Sequence, residues 1–293
     1  SGSSGRGGAA RLSARGALRI GAGVVTVGCP GDALIENAAR LDAVMLRVVE
    51  DGAALTAALE DGRITALCLG PGLGLEPRAL GLVRAALQAG QKRQLPTVLD
   101  ADALTLLSRD PSLVAALHPA CVLIPHGGEF ARLFPDLAER LQDGPSADVS
   151  YSKVDATKAA AKRAGCIVLF KGADTVIAAP DGTCALSAAT YDAAAPWLAT
   201  AGSGDVLAGI ICGLLARGFA PQQAAETGAW LHQAAARQFG AGLIAEDLPD
   251  HVPAVFSALV LFFFNDTATT ENYTALNTLS LHDALPISVV AVS

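Results

Sequence analysis

Residues 64–74 have the sequence ITALCLGPGLG, in which a mostly apolar run leads directly into a glycine-rich turn. The helical stretch Arg78–Ala89 begins a few residues later. A continuously apolar run is typical of a strand that helices cover on both faces, because neither side of the strand then meets water. This stretch therefore predicts one strand–turn–helix unit of a parallel sheet.

The same unit recurs along the chain. Four more apolar runs predict strands, namely Gly23–Val27, Thr97–Leu99, Cys121–Ile124 and Cys166–Phe170. Ala- and Leu-rich stretches of helical length lie between them, and Ser152 is a suitable N-cap for the helix predicted over Lys153–Ala164. Repeated β-α units predict an α/β fold: a doubly wound, mostly parallel sheet flanked by helices, with right-handed crossovers.

An antiparallel hairpin is predicted at one end of this sheet. Its strands are Thr175–Ala178 and Thr183–Leu186, which are separated by Ala-Pro-Asp-Gly, a sequence that suits a hairpin turn. Two long helices are predicted after it, over Asp205–Ala216 and Pro221–Phe239. The helical segment Ala9–Ile20 has no strand before it, although a β-α unit would normally supply one.

The composition is that of a chain with a large apolar core. Of its 293 residues, 52% are hydrophobic and 17% are charged, which excludes a disordered or collagen-like chain. Lys and Arg number 21 against 28 Asp and Glu, whereas nucleic-acid-binding proteins normally have a basic excess. No apolar run approaches the roughly 18–20 residues that span a bilayer, and the N-terminal SGSSGRGG lacks the apolar core of a secretion signal. We therefore expect a cytoplasmic protein with neither a membrane nor a nucleic acid as partner.

The six cysteines are scattered through the chain and show no Cys-x-x-Cys spacing. Most of them lie inside apolar runs, where a thiol behaves as a small hydrophobic group. We therefore expect neither a cysteine metal site nor a disulfide framework.

Polar residues follow several of the predicted strands, which is where ligands bind in an open parallel sheet. The glycines of Gly70–Gly74 allow positive φ and expose N–H groups that suit phosphate oxygens, but the same stretch could be a simple turn. Its spacing is neither that of a P-loop nor the G-x-G-x-x-G of dinucleotide folds. Asp100 and Asp102 could hold a metal or cap the following helix. We favour the cap for Asp102 and leave Asp100 open.

Two further groups follow strands. His126 and Glu129 lie in Ile-Pro-His-Gly-Gly-Glu, where the histidine could be functional or structural. Lys171 begins Lys-Gly-Ala-Asp-Thr and could bind a phosphate as a point charge or lie in a solvated surface loop.

The most informative stretch is Ala-Gly-Ser-Gly-Asp at residues 201–205, immediately before a helix whose apolar face includes Val206, Ile210 and Leu214. The backbone of Gly202, Ser203 and Gly204 would offer unpaired N–H groups at the positive end of this helix, which makes an anion site. Asp205 is placed to take a proton from a hydroxyl held beside that anion. An acid in a first helical turn is also a good capping residue, so its functional meaning depends on the flanking glycines.

Taken in order, these stretches resemble the NAD(P)H-hydrate dehydratase family of the ribokinase-like superfamily, which repairs hydrated nicotinamide cofactors. The resemblance covers Gly8–Val255 and rests on GAARLSARGALRIGAGVVTV, LGPGLG, VLDADAL, LIPHGGEFARLF, LFKGADTVIAAPDG, LATAGSGDVLAGIICGLLARG, WLHQAAA and AEDLPDHVP. The combination of PH-x-x-E, KG-x-x-T and G-x-GDVLAG distinguishes this family from sugar kinases.

The resemblance implies roles for individual residues. The residues that would contact the hydrated nicotinamide nucleotide are Ala9, Gly74, His126 and Asp205. Those that would hold the adenine nucleotide are Lys171, Gly172, Ala173, Asp174, Thr175 and Gly204. Glu129 would correspond to the acid of the superfamily's N-x-x-E motif, which is associated with Mg²⁺ and phosphate-bound water.

The reaction implied by the resemblance is a nucleotide-driven dehydration. Asp205 would deprotonate the ring hydroxyl as it attacks the terminal phosphoryl group, and phosphate would then leave to restore NADH or NADPH. The motifs do not distinguish ADP from ATP as the phosphoryl donor. ADP is favoured because bacterial members of the family favour it and this Ala-rich chain resembles a bacterial protein. A homo-oligomer is expected, with the partner NAD(P)H-hydrate epimerase supplied from outside this chain.

Two regions depart from the family pattern. The apolar first strand is missing, which would leave ladder hydrogen bonds unmade and apolar surface exposed. Residues 256–293 contain no Lys or Arg, and FFFNDTATTENYTALNTLSLHDALPIS resembles translated sequencing-adapter DNA. We therefore predict a family domain over residues 1–255 and a non-family tail over residues 256–293 that packs irregularly.

Two alternative functions remain open. One is a kinase of the same superfamily that phosphorylates a thiazole or pyrimidine alcohol, against which His126 argues. The other is an inactive nucleotide-binding fragment, which the missing strand and the foreign tail would explain.

Overall fold

The structure is a computed structural model that describes residues 1–142, 151–265 and 288–292. Within these residues, nine strands form one sheet in the order β2-β1-β9-β3-β4-β5-β6-β7-β8. The strands are β1 (Val24–Cys29), β2 (Met45–Val48), β3 (Ile64–Leu69), β4 (Thr97–Leu99), β5 (Cys121–Leu123), β6 (Ile167–Phe170), β7 (Asp174–Ala178), β8 (Cys184–Ala188) and β9 (Ser288–Val292). Strand β7 runs antiparallel to β6 and β8, and the other pairs are parallel. The predicted α/β fold is confirmed.

Helices cover both faces of the sheet. They are α1 (Gly8–Arg19), α2 (Leu34–Ala38), α3 (Gly52–Ala58), α4 (Pro77–Arg93), α5 (Ala101–Arg109), α6 (Pro111–Ala115), α7 (Gly127–Leu133), α8 (Pro135–Gln142), α9 (Lys153–Ala164), α10 (Ser203–Ala216), α11 (Pro221–Phe239) and α12 (Asp247–Asn265). One apolar core lies under α1, α10, α11 and α12, and the other lies under α3 to α9. Alternate residues of β3 enter opposite cores, Cys68 the first and Leu67 the second, as the two-residue repeat of a strand requires.

Several predicted elements are confirmed with their bounds. Strands β3 and β4 and helices α9 and α11 begin and end where the sequence predicts. The Ser152 side chain accepts a hydrogen bond from the Asp155 amide and so caps α9. The hairpin forms as β7 and β8, and five of the six cysteines are buried as free thiols.

Strand β2 was not predicted from the sequence. Its residues Met45–Val48 read Met-Leu-Arg-Val, and the Met45 side chain is 61% exposed. The strand lies at the edge of the sheet and pairs with only one other strand, β1. It therefore lacks the continuously apolar pattern of a central strand.

The irregular packing expected for residues 256–293 is wrong for the part that the structure describes. Helix α12 continues through position 256 to Asn265. Strand β9 lies between β1 and β3 and pairs in parallel with both. Residues 266–287 lie outside the described residues. The assignment of this stretch to a non-family tail stays a prediction.

Helices α1 and α10 pack unusually closely on one face of the sheet. A Cβ atom on Gly209 would overlap the Ser13 carbonyl oxygen, and one on Gly213 would overlap the Ile20 side chain. Small residues at these positions let the two backbones approach. This contact fixes the N-terminus of α10. Among the described helices, none has the length and apolar content needed to cross a membrane.

Candidate active site

The carboxyl ends of β4, β5 and β6 and the N-terminus of α10 surround one cavity of about 770 Å³. This volume is in the range of sites for small molecules. The predicted site residues that line it are His126, Glu129, Lys171, Gly172, Ala173, Thr175, Gly202, Ser203, Gly204 and Asp205. Adjacent parallel strands end side by side, and hydrogen bonds across those ends hold the loops together, as when the Lys171 amide donates to the Pro125 carbonyl (2.8 Å).

The N-terminus of α10 borders the cavity. Gly202 precedes the helix with φ of 88°, a conformation that favours glycine, and the first amides of the helix have no partner within it. The Ser203 hydroxyl donates to the Leu198 carbonyl (2.7 Å), so this residue offers the cavity its backbone rather than its side chain. The positive end of α10 therefore faces the cavity.

Asp205 lies in the first turn of α10. Burial, together with the neighbouring carboxylates of Asp100, Asp102 and Glu129 and against the effect of Lys171, raises the pKa of its carboxyl to about 7. A carboxyl with a pKa near 7 is half ionised at neutral pH and can accept a proton from a bound hydroxyl. This is the electrostatic setting of a general base.

Lys171 lies between two buried carboxylates. Its Nζ donates to Asp100 Oδ1 (2.8 Å) and lies 3.9 Å from Glu129 Oε2. Burial favours the neutral amine, but Asp100 and Glu129 outweigh it and hold the pKa of Lys171 above its usual value. Burial also raises the pKa of Glu129, against the effect of Lys171. The ammonium is therefore charged and held in place.

His126 and Glu129 cap helix α7 reciprocally. His126 Nδ1 accepts from the Gly128 amide (3.0 Å), and Glu129 Oε2 accepts from the His126 amide (2.8 Å). Because Nδ1 is an acceptor, the neutral ring carries its proton on Nε2, which lies 3.3 Å from Glu129 Oε1. The His126 side chain is 56% exposed at the edge of the cavity. The structural role and the functional role considered for His126 are therefore compatible.

The loop from Lys171 to Thr175 is tied to helix α9. Lys153 Nζ donates to the carbonyls of Lys171 (3.3 Å) and Asp174 (2.6 Å) and to Asp174 Oδ1 (2.9 Å). The Thr175 hydroxyl donates to the Gly172 carbonyl (3.0 Å). One lysine side chain therefore sets the shape of a loop that borders the cavity.

Three of the residues to which the resemblance assigns substrate or nucleotide contacts do not line the cavity. Asp174 points its carboxylate at Lys153, and Ala9 lies beside Gly72. The Gly74 amide donates a hydrogen bond to Asp102 Oδ2 (2.8 Å). That bond corrects the cap expected for Asp102, whose carboxylate contacts the turn after β3 instead of the amides of its own helix. The substrate contacts inferred for Ala9 and Gly74 stay predictions.

Comparison with known proteins identifies the family of this chain. Residues 1–254 match the family model described as NAD(P)H-hydrate dehydratase. The chain belongs to the NAD(P)H-hydrate dehydratase family. It is 33% identical to the ADP-dependent (S)-NAD(P)H-hydrate dehydratase of Xanthomonas campestris, over 86% of this chain and 84% of that protein. It is also similar to the Bacillus subtilis ADP/ATP-dependent NAD(P)H-hydrate dehydratase crystallised with ATP and Mg²⁺, with 28% identity and a TM-score of 0.68 over 88% and 87% of the two chains.

A longer member of the NAD(P)H-hydrate dehydratase family also matches. The bifunctional NAD(P)H-hydrate repair enzyme Nnr of Moorella thermoacetica is 37% identical over 271 residues, which are 88% of this chain. The chain spans about half of that relative's length, since the match covers 48% of it.

Sequence reasoning misses or leaves open three residues that line the cavity or hold its loops. The sequence leaves Asp100 open between a metal ligand and a cap, and it places Lys153 only as the first residue of a predicted helix. The third is His232, whose Nε2 donates a hydrogen bond to the Ser203 carbonyl (2.9 Å). Burial lowers the pKa of His232 to about 4, so its ring is neutral. Its only signal was the WLHQAAA motif. All three act through contacts between residues distant in sequence, which neither spacing nor periodicity can reveal.

Proposed function

We propose that the chain catalyses the nucleotide-dependent dehydration of the S epimer of hydrated NADH or NADPH, with ADP as the favoured phosphoryl donor. The observation that supports this most directly is the position of Asp205. Its carboxyl, with a pKa of about 7, lies at the positive end of α10 in the cavity that Lys171 and His126 also line. Family membership supplies the substrate class, and the relative named as ADP-dependent supports the choice of donor.

The proposed reaction begins with phosphoryl transfer. Asp205 takes the proton of the ring hydroxyl while the hydroxyl oxygen forms a bond to the terminal phosphorus of ADP, and AMP leaves as the old bond to phosphorus breaks. Negative charge develops on the transferred oxygens, where the amides of Gly202–Asp205 and the Lys171 ammonium would stabilise it.

Dehydration follows because phosphate is a better leaving group than hydroxide. The lone pair of the ring nitrogen drives out phosphate, and loss of a proton from the neighbouring ring carbon restores the dihydronicotinamide. The products are AMP, phosphate and NADH or NADPH. The protein orients the ring for both steps, and His126 lies at the cavity edge where it would contact the nicotinamide nucleotide.

Magnesium fits this site as an ion that arrives with the nucleotide. No group of three metal-ligating side chains occurs among the described residues. Mg²⁺, however, is usually held by one or two carboxylates together with phosphate oxygens and water. The buried Glu129 carboxylate would hold it through water, and the ion would neutralise charge on the phosphoryl oxygens.

A direct assay tests the proposal. The purified chain is incubated with Mg²⁺, ADP and the S epimer of hydrated NADH, while the near-ultraviolet absorbance of reduced nicotinamide and the phosphate released are measured. We expect both to rise in equal amounts, and to stay flat for Asp205→Asn. Nucleotide binding without turnover would indicate an inactive binding fragment. Phosphorylation of a thiazole or pyrimidine alcohol, with no phosphate released, would indicate a kinase.

We also propose a homo-oligomer. Trp197 and Trp230 are each 48% exposed, and Trp230 shares a groove with Leu186 on the terminal strand β8. Adjacent exposed apolar side chains, such as Trp230 and Leu186 in this groove, form the kind of apolar surface that protein interfaces cover. Sedimentation velocity should give a mass of at least two chains, and a monomer at micromolar concentration would contradict this proposal.

The companion epimerase is proposed to act from outside residues 1–255. A dehydratase specific for one epimer leaves the other untouched, so an epimerase is needed to consume both. Adding an epimerase to the assay should double the NADH recovered from an equal mixture of epimers. Complete recovery without it would contradict the proposed specificity.

A further inference from the structure

Asp100 occupies an N-cap position without acting as a cap. It lies directly before α5 with φ of −138° and ψ of 170°, which is normal for an N-cap residue, but its side chain makes no capping hydrogen bond. The residue is only 1% exposed. A buried carboxylate that leaves the nearby helix amides unused has another partner.

The backbone around Asp100 is held in an unfavourable geometry. Ala101 has φ of 46°, in the left-handed region that residues with a Cβ rarely adopt. Across from it, a Cβ on Gly70 would overlap the Asp100 carbonyl oxygen, so the two strand ends approach closely only because Gly70 has no side chain. Strain of this kind persists where a functional geometry requires it.

The partner of Asp100 is Lys171. Oδ1 of Asp100 accepts from Lys171 Nζ at 2.8 Å. A Cβ placed on Gly204 would lie 3.2 Å from Lys171 Nζ and 3.7 Å from Asp100 Oδ2, so the pair lies against the first turn of α10. The ammonium is thus adjacent to the anion site rather than in a remote part of the loop.

Lysine needs such a partner if its charge is to stay in one place. Its four-carbon stem is flexible, and fixing it costs side-chain entropy. Two other carboxylates, those of Glu129 and Asp205, also attract this ammonium. Pairing with Asp205 would occupy the group that must accept a proton, so the 2.8 Å bond to Asp100 keeps the candidate base free.

We propose that Asp100 is a positioning residue for phosphoryl transfer: its carboxylate holds the Lys171 ammonium beside Gly204, so that the ammonium faces the phosphoryl group passed to the substrate hydroxyl. This rests on the proposed dehydratase function. Asp100 does not touch the substrate and acts only through Lys171.

The test is a double-mutant cycle with Asp100→Asn, Lys171→Met and the double variant, assayed with ADP, Mg²⁺ and hydrated NADH. Asn keeps the volume of Asp and removes its charge. We expect Asp100→Asn to lower kcat by about 10- to 100-fold and to change the KM for hydrated NADH by less than about threefold, because the nicotinamide contacts remain. In the Lys171→Met background, Asp100→Asn should change kcat by less than about twofold, because residues that act through one another are not additive.

Asp110→Asn is the matched control. Asp110 is also an N-cap acid, but its side chain accepts from the Ser112 amide (2.9 Å) at the start of α6, outside the cavity. This variant should keep kcat while its thermal midpoint falls slightly.

The inference and the proposed function fail in different ways. An inactive wild-type chain would overturn both. An active wild type together with a fully active Asp100→Asn variant would overturn the positioning role alone, as would single effects that multiply in the double variant. If Asp100→Asn does not fold, Lys171→Met and the double variant still decide. Equal kcat values for Lys171→Met and the double variant would support the role of Asp100. A kcat ten times lower in the double variant than in Lys171→Met would overturn it.

Discussion

The Ser13 hydroxyl donates a 2.8 Å hydrogen bond to the backbone carbonyl of Asp205, a residue 192 positions away in the chain. Ser13 is 1% exposed, and the bond is partly buried. Four residues further along α10, Gly209 faces the Ser13 carbonyl with no room for a side chain. The first helix of the chain therefore fixes the turn that presents the candidate base.

Gly209→Ala should separate α1 from α10. Its Cβ would overlap the Ser13 carbonyl oxygen, and neither backbone can move without disturbing the apolar core beneath. Overpacking of this kind costs about 1–3 kcal/mol or more. We expect a lower thermal midpoint and a reduced kcat, because the carbonyl bond from Ser13 to Asp205 would be displaced.

Gly81→Ala is the control for that substitution. Gly81 also lies inside a helix, α4, but a Cβ there would meet only the Gly52 amide nitrogen, at 3.8 Å. An alanine in a helix interior is more favourable than glycine by up to about 1 kcal/mol. This variant should match or exceed the wild-type midpoint, and equal losses in both variants would contradict the packing explanation.

Asp205→Asn should abolish turnover and stabilise the protein at neutral and alkaline pH. The folded pKa of Asp205 is about 7, above the unfolded value near 4, so the folded chain holds this proton more tightly than the unfolded chain. Ionising Asp205 therefore costs folding free energy, and the cost grows as pH rises from about 4 to about 7. Asn never ionises and avoids it.

Thermal or urea unfolding at a series of pH values checks this prediction. The stability advantage of Asp205→Asn over wild type should be absent near pH 4, increase up to about pH 7 and stay constant above it. An advantage that did not vary with pH would mean that Asp205 is not buried as described. Turnover within tenfold of wild type, a barrier change under about 1.4 kcal/mol, would remove Asp205 as the base.

The pH profile of kcat/KM should show an acid limb. Asp205 accepts a proton only when ionised, so activity should fall about tenfold per pH unit below about 7. Asp100, Asp102, Glu129 and Lys171 all affect this ionisation. Removing the Asp100 charge should therefore shift the limb to lower pH, as would be measured with Asp100→Asn. If the acid limb did not shift in Asp100→Asn, the ionisation that causes it would belong to a group other than Asp205.

Local sequence predicts the sheet well because strands such as β3 are buried on both faces and have a continuous apolar pattern. It also locates the N-terminus of α10, since two glycines beside an acid are rare before a long apolar helix. The exposed edge strand β2 (Met-Leu-Arg-Val) lacks this pattern. Strand β9 (Ser-Val-Val-Ala-Val) has an apolar run, but it lies in the stretch that the sequence analysis assigns to a non-family tail.

The sequence predicts the site residues of each loop, but it does not predict the contacts between loops. His126, Lys171 and Asp205 each follow a predicted strand or begin a predicted helix, so their convergence follows from topology. The carboxylate directions of Asp100 and Asp102 do not, because both acids suit a helix N-terminus equally. Asp100 contacts Lys171, and Asp102 contacts Gly74. These partners are set by the approach of neighbouring strand ends, which the sequence does not reveal.

Lys153→Met should weaken nucleotide binding more than it slows the reaction. The Lys153 ammonium makes three hydrogen bonds to Lys171 and Asp174, and it lies 4.4 Å from the centre of the Phe170 ring. Met keeps most of the apolar stem but removes the charge that orders the loop. We expect the KM for ADP to rise about 5- to 20-fold while kcat stays within about threefold.

Lys162→Met provides the comparison, because Lys162 is exposed on the same helix. It should leave both constants unchanged, which separates loss of the loop contacts from loss of one positive charge on α9. If Lys153→Met instead lowered kcat with no change in the KM for ADP, the loop would contact the transferring phosphoryl group only in the transition state. The nucleotide-holding role inferred for residues 171–175 would then be wrong, since a loop that binds ADP in the ground state must affect its KM.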